Sequence, residues 1–355
     1  MATIPNDSDR QARLWWALLA IFGGSLLVLT WYRLLVAQSD GWHDPARHRV
    51  QFVIVDRDVR LEVLDWGGTG RPVLLLAGSG NTAHLFDEFA PKLTDCCRVY
   101  GVTRRGYGKS SHPESGYDDQ RLADDALEVI NALKLAAPVL VGHSMAGGEL
   151  TTLGNQHSPR LGGLVYLDAL ADPRDFPASD PAFTQLFNAL PAPMREPPRL
   201  DYSSFDAYRA AQRRSRQGVF PESELREGFA ANPDGSMGRY KASTDRIHKA
   251  IGDGQKKRDY SHIRIPVLAF GERPRIIGVD PPLPDDYQPK NEQERAAIEA
   301  FNRALVPYAE RAMKTLKSGV PDARFVDLPG AGHFVFLTRE AEVLKEIHAF
   351  VAALH

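Results

Sequence analysis

Ser144 sits where a hydroxyl could act on an acyl carbon. It follows the short apolar run Val139 to Val141 and precedes Met145-Ala-Gly-Gly148, small residues suited to a helix start, so Pro138 to Glu149 reads as strand, sharp turn, helix. Gly142, Gly147 and Ala146 leave room for a strained bend that would lift the serine above a sheet. The same residues also suit a serine that only N-caps a helix after a buried strand. A catalytic reading needs partners, because a serine hydroxyl attacks only if a base takes its proton and a third group orients that base. Pro329-Gly-Ala-Gly-His333 supplies the base candidate, a histidine in a glycine-rich loop just before the last amphipathic segment. Of the 11 histidines, the other ten lack this placement; His143, inside the bend, is expected to pack beside the serine rather than act on it.

The elements that would position these groups alternate along the chain. Arg49 to Val55 and Val59 to Trp66 alternate apolar and polar residues around Asp56-Arg57-Asp58, which predicts an antiparallel pair at a sheet edge. Val73 to Ala77 is continuously apolar, as expected of a strand covered on both faces, and runs into Gly78-Ser79-Gly80-Asn81 and the amphipathic Ala83 to Leu93. Strands at Arg98 to Val102, Val139 to Val141 and Gly163 to Leu167 then alternate with helices at Tyr117 to Leu135 and Met145 to Gln156. Such units imply a mostly parallel sheet with helices on both faces, an α/β fold. Ala169 to Ser261, with seven prolines between Pro173 and Pro198, interrupts the rhythm and is read as an inserted helical lid. A strand at Ile265 to Phe270, a charged helix near Asn291 to Lys317, a strand at Arg324 to Leu328 and a helix at Glu340 to Ala353 complete the body.

The chain has 355 residues, 43% hydrophobic and 25% charged, with a formal net charge of −2. That is a globular composition with no polyelectrolyte signal for nucleic acid. Leu14 to Tyr32 holds nineteen uncharged residues between Arg13 and Arg33, about 28 Å as a helix, with Trp15, Trp16, Trp31 and Tyr32 near its ends. It is read as an N-terminal transmembrane anchor, with a cleaved signal peptide as the rival. Residues 1–37 are thus tail and anchor, 38–48 a linker and 49–355 the folded domain. Charges flank both sides of the span and fix no orientation; the short tail favours a body outside the cytoplasm. Adjacent Cys96 and Cys97 are poorly placed for an ordinary disulfide, and no other cysteine exists. No dinucleotide fingerprint or metal-ligand spacing is present, so neither cofactor nor metal is expected. Nothing in the sequence sets the oligomeric state.

From about His48 onward the chain resembles the α/β-hydrolase superfamily. The resemblance rests on the order of elements and on Leu76-Ala-Gly-Ser-Gly80, Thr103-Arg-Arg-Gly-Tyr-Gly-Lys-Ser110, Gly142-His-Ser-Met-Ala146 and Gly330-Ala-Gly-His333. Two positions depart from the usual pattern: Ala146 closes the elbow in place of glycine, and Ala77 precedes Gly78 in place of histidine. The resemblance implies the nucleophile elbow at Ser144, His333 as base, and an oxyanion hole from the backbone N–H groups of Ser79 and Met145. The Arg104 to Ser110 loop would be mainly structural. In many of these enzymes the acid follows the seventh strand, three residues after a glycine, but after Gly271 that position is Pro274. Two carboxylates remain, Glu272 in the same loop and Asp168 directly after the sixth strand, and Asp168 is favoured.

A serine nucleophile argues against the dehalogenase and epoxide hydrolase branches, which use a carboxylate. The expected activity is a membrane-anchored serine hydrolase acting on a small-molecule ester or related acyl compound. A carbon-carbon bond hydrolase and a cofactor-free peroxidase are alternatives on the same triad. A catalytically silent binding protein is the alternative of another class.

Overall fold

Strands whose residues alternate between two apolar faces need cover on both sides, and the central strands obtain it. Leu74 and Leu76 of β3 (Arg71–Leu76) join one core cluster while Val73 and Leu75 join another. The same split recurs in β5 (Val139–His143) and β6 (Gly163–Leu167), as the two-residue period of a strand requires. Helices α1 (Asp119–Ala132) and α2 (Ala146–His157) cover the first face through Ala126, Val129, Leu150 and Leu153. The C-terminal helix (Glu340–Ala352) covers the second through Val343, Ile347 and Phe350. Each such fully buried aliphatic side chain contributes roughly 1.5–3 kcal/mol.

In this computed structural model the described residues are 42–172, 180–195, 200–213, 218–241, 244–271 and 288–354. The expected anchor, Leu14 to Tyr32, and the alternative acid Glu272 lie outside them. Among the described residues no helix is long and apolar enough to cross a membrane.

With β1 (Arg49–Asp56), β2 (Val59–Gly67), β4 (Cys97–Thr103), β9 (Val267–Gly271) and β10 (Arg324–Asp327), the sheet has eight strands in the order β1-β2-β4-β3-β5-β6-β9-β10. β2 is antiparallel to both its neighbours, and the strands from β4 to β10 in this order run parallel. The described part of the insert between β6 and β9 contains α3 (Pro181–Ala189), α4 (Phe205–Gln212), α5 (Glu222–Gly228), the small hairpin β7 (Phe229–Ala231) and β8 (Met237–Tyr240), and α6 (Thr244–Gly254). The long α7 (Glu292–Gly319) and α8 (Glu340–Ala352) complete the body. Phe301 of α7 packs on Phe183 of α3, with ring centroids 5.1 Å apart.

Three expectations are corrected. Ala83 to Leu93 is two separate 3₁₀ turns, Ala83–Phe86 and Ala90–Leu93, rather than one amphipathic helix; Pro91 lacks the amide a continuous helix would need there. Cys96 and Cys97 form a vicinal disulfide despite their adjacency. Residues 42–48 have no regular structure, yet the side chain of His48 is only 5% exposed and lies against Asp87, so this end of the linker is part of the packed body.

Candidate active site

β5 runs directly into Ser144, whose φ of 55° lies in the left-handed region, a conformation costing a non-glycine residue about 1–2 kcal/mol. The strain is held by neighbours. The Ser144 N–H donates to the Leu167 carbonyl (3.2 Å), and the Gly147 N–H donates to the Ser144 carbonyl (3.0 Å). α2 must then start against the end of β6: a Cβ on Gly147 would stand 2.0 Å from the Ala169 carbonyl oxygen. Ala146, where the usual pattern has glycine, is fully buried and fits.

His333 comes from the loop after β10, across the sheet end from the serine. Its Nε2 is 2.9 Å from Ser144 Oγ and its Nδ1 is 2.7 Å from Asp168 Oδ2. Asp168 leaves β6 with a φ of 45°, and its N–H donates to the Phe270 carbonyl (2.9 Å). The structure thus brings Ser144, His333 and Asp168 into one hydrogen-bonded row. His333 and Asp168 are 47% and 38% exposed, which leaves them within reach of a solvent-borne molecule.

His143 has a different part. It is buried beneath the row, its Nε2 donates to the His333 carbonyl (3.0 Å), and its ring packs 4.6 Å from that of His333 and 4.7 Å from Phe334. Burial pushes it down to about 3, with the His333 charge acting the same way, so it is a neutral support.

The loop Gly78 to Asn81 is pressed against the elbow, for a Cβ on Gly78 would meet His143 Nδ1 at 2.7 Å and Ser144 Cβ at 3.1 Å. Ser79 is exposed and Met145 caps the start of α2. Among the described residues neither backbone N–H of these two donates to a protein acceptor, which leaves both available to an oxyanion.

Two supports of this loop escaped the sequence reading. Arg104, buried, donates from Nη2 to the Ala77 carbonyl (2.8 Å), from Nη1 to the Gly78 carbonyl (3.3 Å) and from Nε to Glu149 Oε1 (2.8 Å). Glu224, on α5 of the insert, accepts from Asn81 Nδ2 (2.9 Å) and from the N–H and hydroxyl of Thr82. The only prior signal was the basic motif itself, whose other cations are also paired: Arg105 with Asp125 (2.6 Å) and Lys109 with Glu227 (2.9 Å).

Comparison with known proteins agrees with the geometry. The chain is 27% identical to a non-heme chloroperoxidase of Burkholderia pyrrocinia, over 72% of this chain and 82% of the relative. It is 32% identical to the AB hydrolase superfamily protein YisY of Bacillus subtilis (strain 168), over 38% of this chain but only 47% of that protein. The chain therefore spans about half the length of this curated relative. Its fold superposes on the crystal structure of E-2-(acetamidomethylene)succinate hydrolase with a TM-score of 0.58 at 22% identity, covering 86% of this chain and all of the other. The pattern of the alpha/beta hydrolase family matches residues 73–346, and the chain belongs to that family.

Proposed function

We propose that the protein is a serine hydrolase that cleaves an ester or related acyl bond through an acyl-serine intermediate. The observation that carries this reading is the unbroken row Asp168 Oδ2, His333 Nδ1, His333 Nε2, Ser144 Oγ, with spacings of 2.7 and 2.9 Å across the ring. Ser144 Oγ attacks the carbonyl carbon while His333 Nε2 takes its proton, and Asp168 accepts the Nδ1–H and balances the imidazolium. The carbonyl oxygen becomes an anion held by the Ser79 and Met145 amides, each such donor stabilising the transition state by about 3 kcal/mol. The proton on His333 then passes to the leaving oxygen, and water attacks the acyl-serine by the same route. An apolar cavity of about 420 Å³ beside Asp168, lined by Leu170, Phe270, Val306, Met313 and Phe325, suits an apolar part of the substrate.

The chloroperoxidase relative favours a second use of the same row. Hydrogen peroxide in place of water would take the acyl group from Ser144, yielding a peroxy acid and the free serine. Leu14 to Tyr32 would tether the enzyme to a membrane, with the catalytic body outside the cytoplasm.

The test is hydrolysis of short p-nitrophenyl esters by wild type and Ser144→Ala. Turnover is expected to fall by about 10⁴ or more with the thermal midpoint little changed. Activity that survives in the purified variant rules the acyl-serine out. Peracid formation from acetate and peroxide, lost in the same variant, supports the second use. Resistance of the full-length protein to alkaline carbonate extraction supports the tether, and a soluble form lacking residues 14–32 refutes it.

A further inference from the structure

Asp44 and His48 precede β1, while His84 and Asp87 belong to the turn after β3, yet the fold gathers all four. His48 Nδ1 lies 2.9 Å from Asp87 Oδ1, and His84 Nδ1 lies 2.9 Å from Asp87 Oδ2. Asp44 Oδ2 stands 3.8 Å from both His48 Nε2 and His84 Nδ1. One donor atom from each of the four lies within 4.8 Å of every other. None of them belongs to the triad or to the oxyanion amides.

We propose that Asp44, His48, His84 and Asp87 bind one divalent transition-metal ion, best matched by zinc. Two imidazoles with two carboxylates are donors that zinc accepts, and ligands about 2.0–2.1 Å from a tetrahedral ion stand roughly 3.3 Å apart. With one donor from each residue, all within 4.8 Å of one another, the four groups need only draw inward by about an ångström to reach that spacing.

The cluster is also mostly withdrawn from solvent. The side chains of His48, His84 and Asp87 are 5%, 3% and 3% exposed, whereas that of Asp44 is 28% exposed. Among the described residues His84 Nε2 and Glu62 Oε1 are buried with no hydrogen-bond partner, a costly state for polar atoms. A cation on His84 Nδ1 leaves Nε2–H directed toward Glu62 Oε1, 3.8 Å away, the carboxylate support that metal-bound histidines commonly have. Asp87 is fixed in turn by Trp66 Nε1 (3.0 Å) and by Ser223 Oγ (2.6 Å) on α5. The ion would join the segment before β1 to the turn beyond the oxyanion loop and, through Ser223, to the insert.

The present competitor is a proton. Burial lowers His84, but Asp87 and Glu62 outweigh it and raise the ring to about 10, so binding must displace that proton.

The experiment uses untagged full-length protein in detergent, stripped with a chelator and equilibrated with zinc at about pH 8. Metal per chain is read by mass spectrometry of the desalted protein, and affinity by competition with a zinc dye. One tightly held zinc per chain is expected, with affinity lowered more than about tenfold by Asp44→Asn and by His48→Gln. These two residues lie outside the sheet, and a thermal melt verifies folding, whereas a substitution at the deeply buried His84 risks the fold itself. His348→Gln, which alters the other grouping of Asp95, Cys96 and His348, is expected to change nothing. Absence of stoichiometric zinc, uptake unaffected by both ligand variants, or loss of zinc in His348→Gln overturns the proposal.

Discussion

Ser144 and Asp168 leave adjacent parallel strands at the same register step. His143 pairs with Leu167 across β5 and β6, so the next residue on each strand is the serine and the aspartate, and both adopt left-handed backbone with φ of 55° and 45°. The elbow N–H donates to the carbonyl of the residue before Asp168, which makes the two bends one unit. An acid built this way needs no long loop to meet His333.

This geometry makes Asp168→Asn a clean test of charge. Asparagine tolerates left-handed backbone and keeps the side-chain volume, so the fold should hold while the carboxylate that stabilises the imidazolium is lost. Turnover should drop by about 10⁴ with the thermal midpoint within a few degrees of wild type. Turnover within about tenfold of wild type would remove Asp168 from the row.

Arg104 holds the oxyanion loop from below. Arg104→Met leaves Glu149, buried and already pushed up by burial against the pull of Arg104, without its partner, and should destabilise the protein by about 3–5 kcal/mol. Arg104→Lys retains a cation for Glu149 but cannot fork to the Ala77 and Gly78 carbonyls. It should lower kcat by up to about 10² with KM little altered, since the amide it aims acts on the transition state. A kcat within about twofold of wild type in the lysine variant would sever this link between Arg104 and the oxyanion.

Glu224 connects the insert to the same loop, and its complete burial pushes the carboxyl up to about 7 against the bonds from Thr82 and Asn81. Its folded value exceeds the ordinary 4.5, so the folded state binds the proton more tightly. The stability it contributes is therefore full below about pH 4.5 and lost as pH rises through 7, on the order of 3 kcal/mol. Thermal melts of wild type and Glu224→Gln at pH 5 and 8 should show the wild type's relative stability shrinking by roughly 5 °C at the higher pH. A difference that does not move with pH contradicts the raised carboxyl.

Much of the sheet was legible because its signals are local. Val73 to Ala77 and Val139 to Val141 state two-sided burial by their own composition, and the glycines around Ser144 state a tight bend. The reach of His333 followed from its place after the last strand. What was missed depends on distant partners. Glu224 meets Thr82 across 142 residues, and Asp44 with His48 meets His84 with Asp87 only after β1 to β3 have folded. Neither Asp44-x-x-x-His48 nor His84-x-x-Asp87 reads as a metal-ligand spacing on its own, which is why no metal was expected from the sequence. At Ala83 to Leu93 the apolar period suggested a helix, and the proline inside it prevailed.

Under the proposed mechanism Ser144 Oγ becomes covalently acylated with His333 as its base. The direct measurement is reaction of the purified protein with a fluorophosphonate probe, followed by peptide mapping by mass spectrometry. One adduct per chain is expected, on Ser144, formed at least about 10³-fold more slowly in His333→Gln. A folded protein that takes no label, or carries it on another serine, contradicts it.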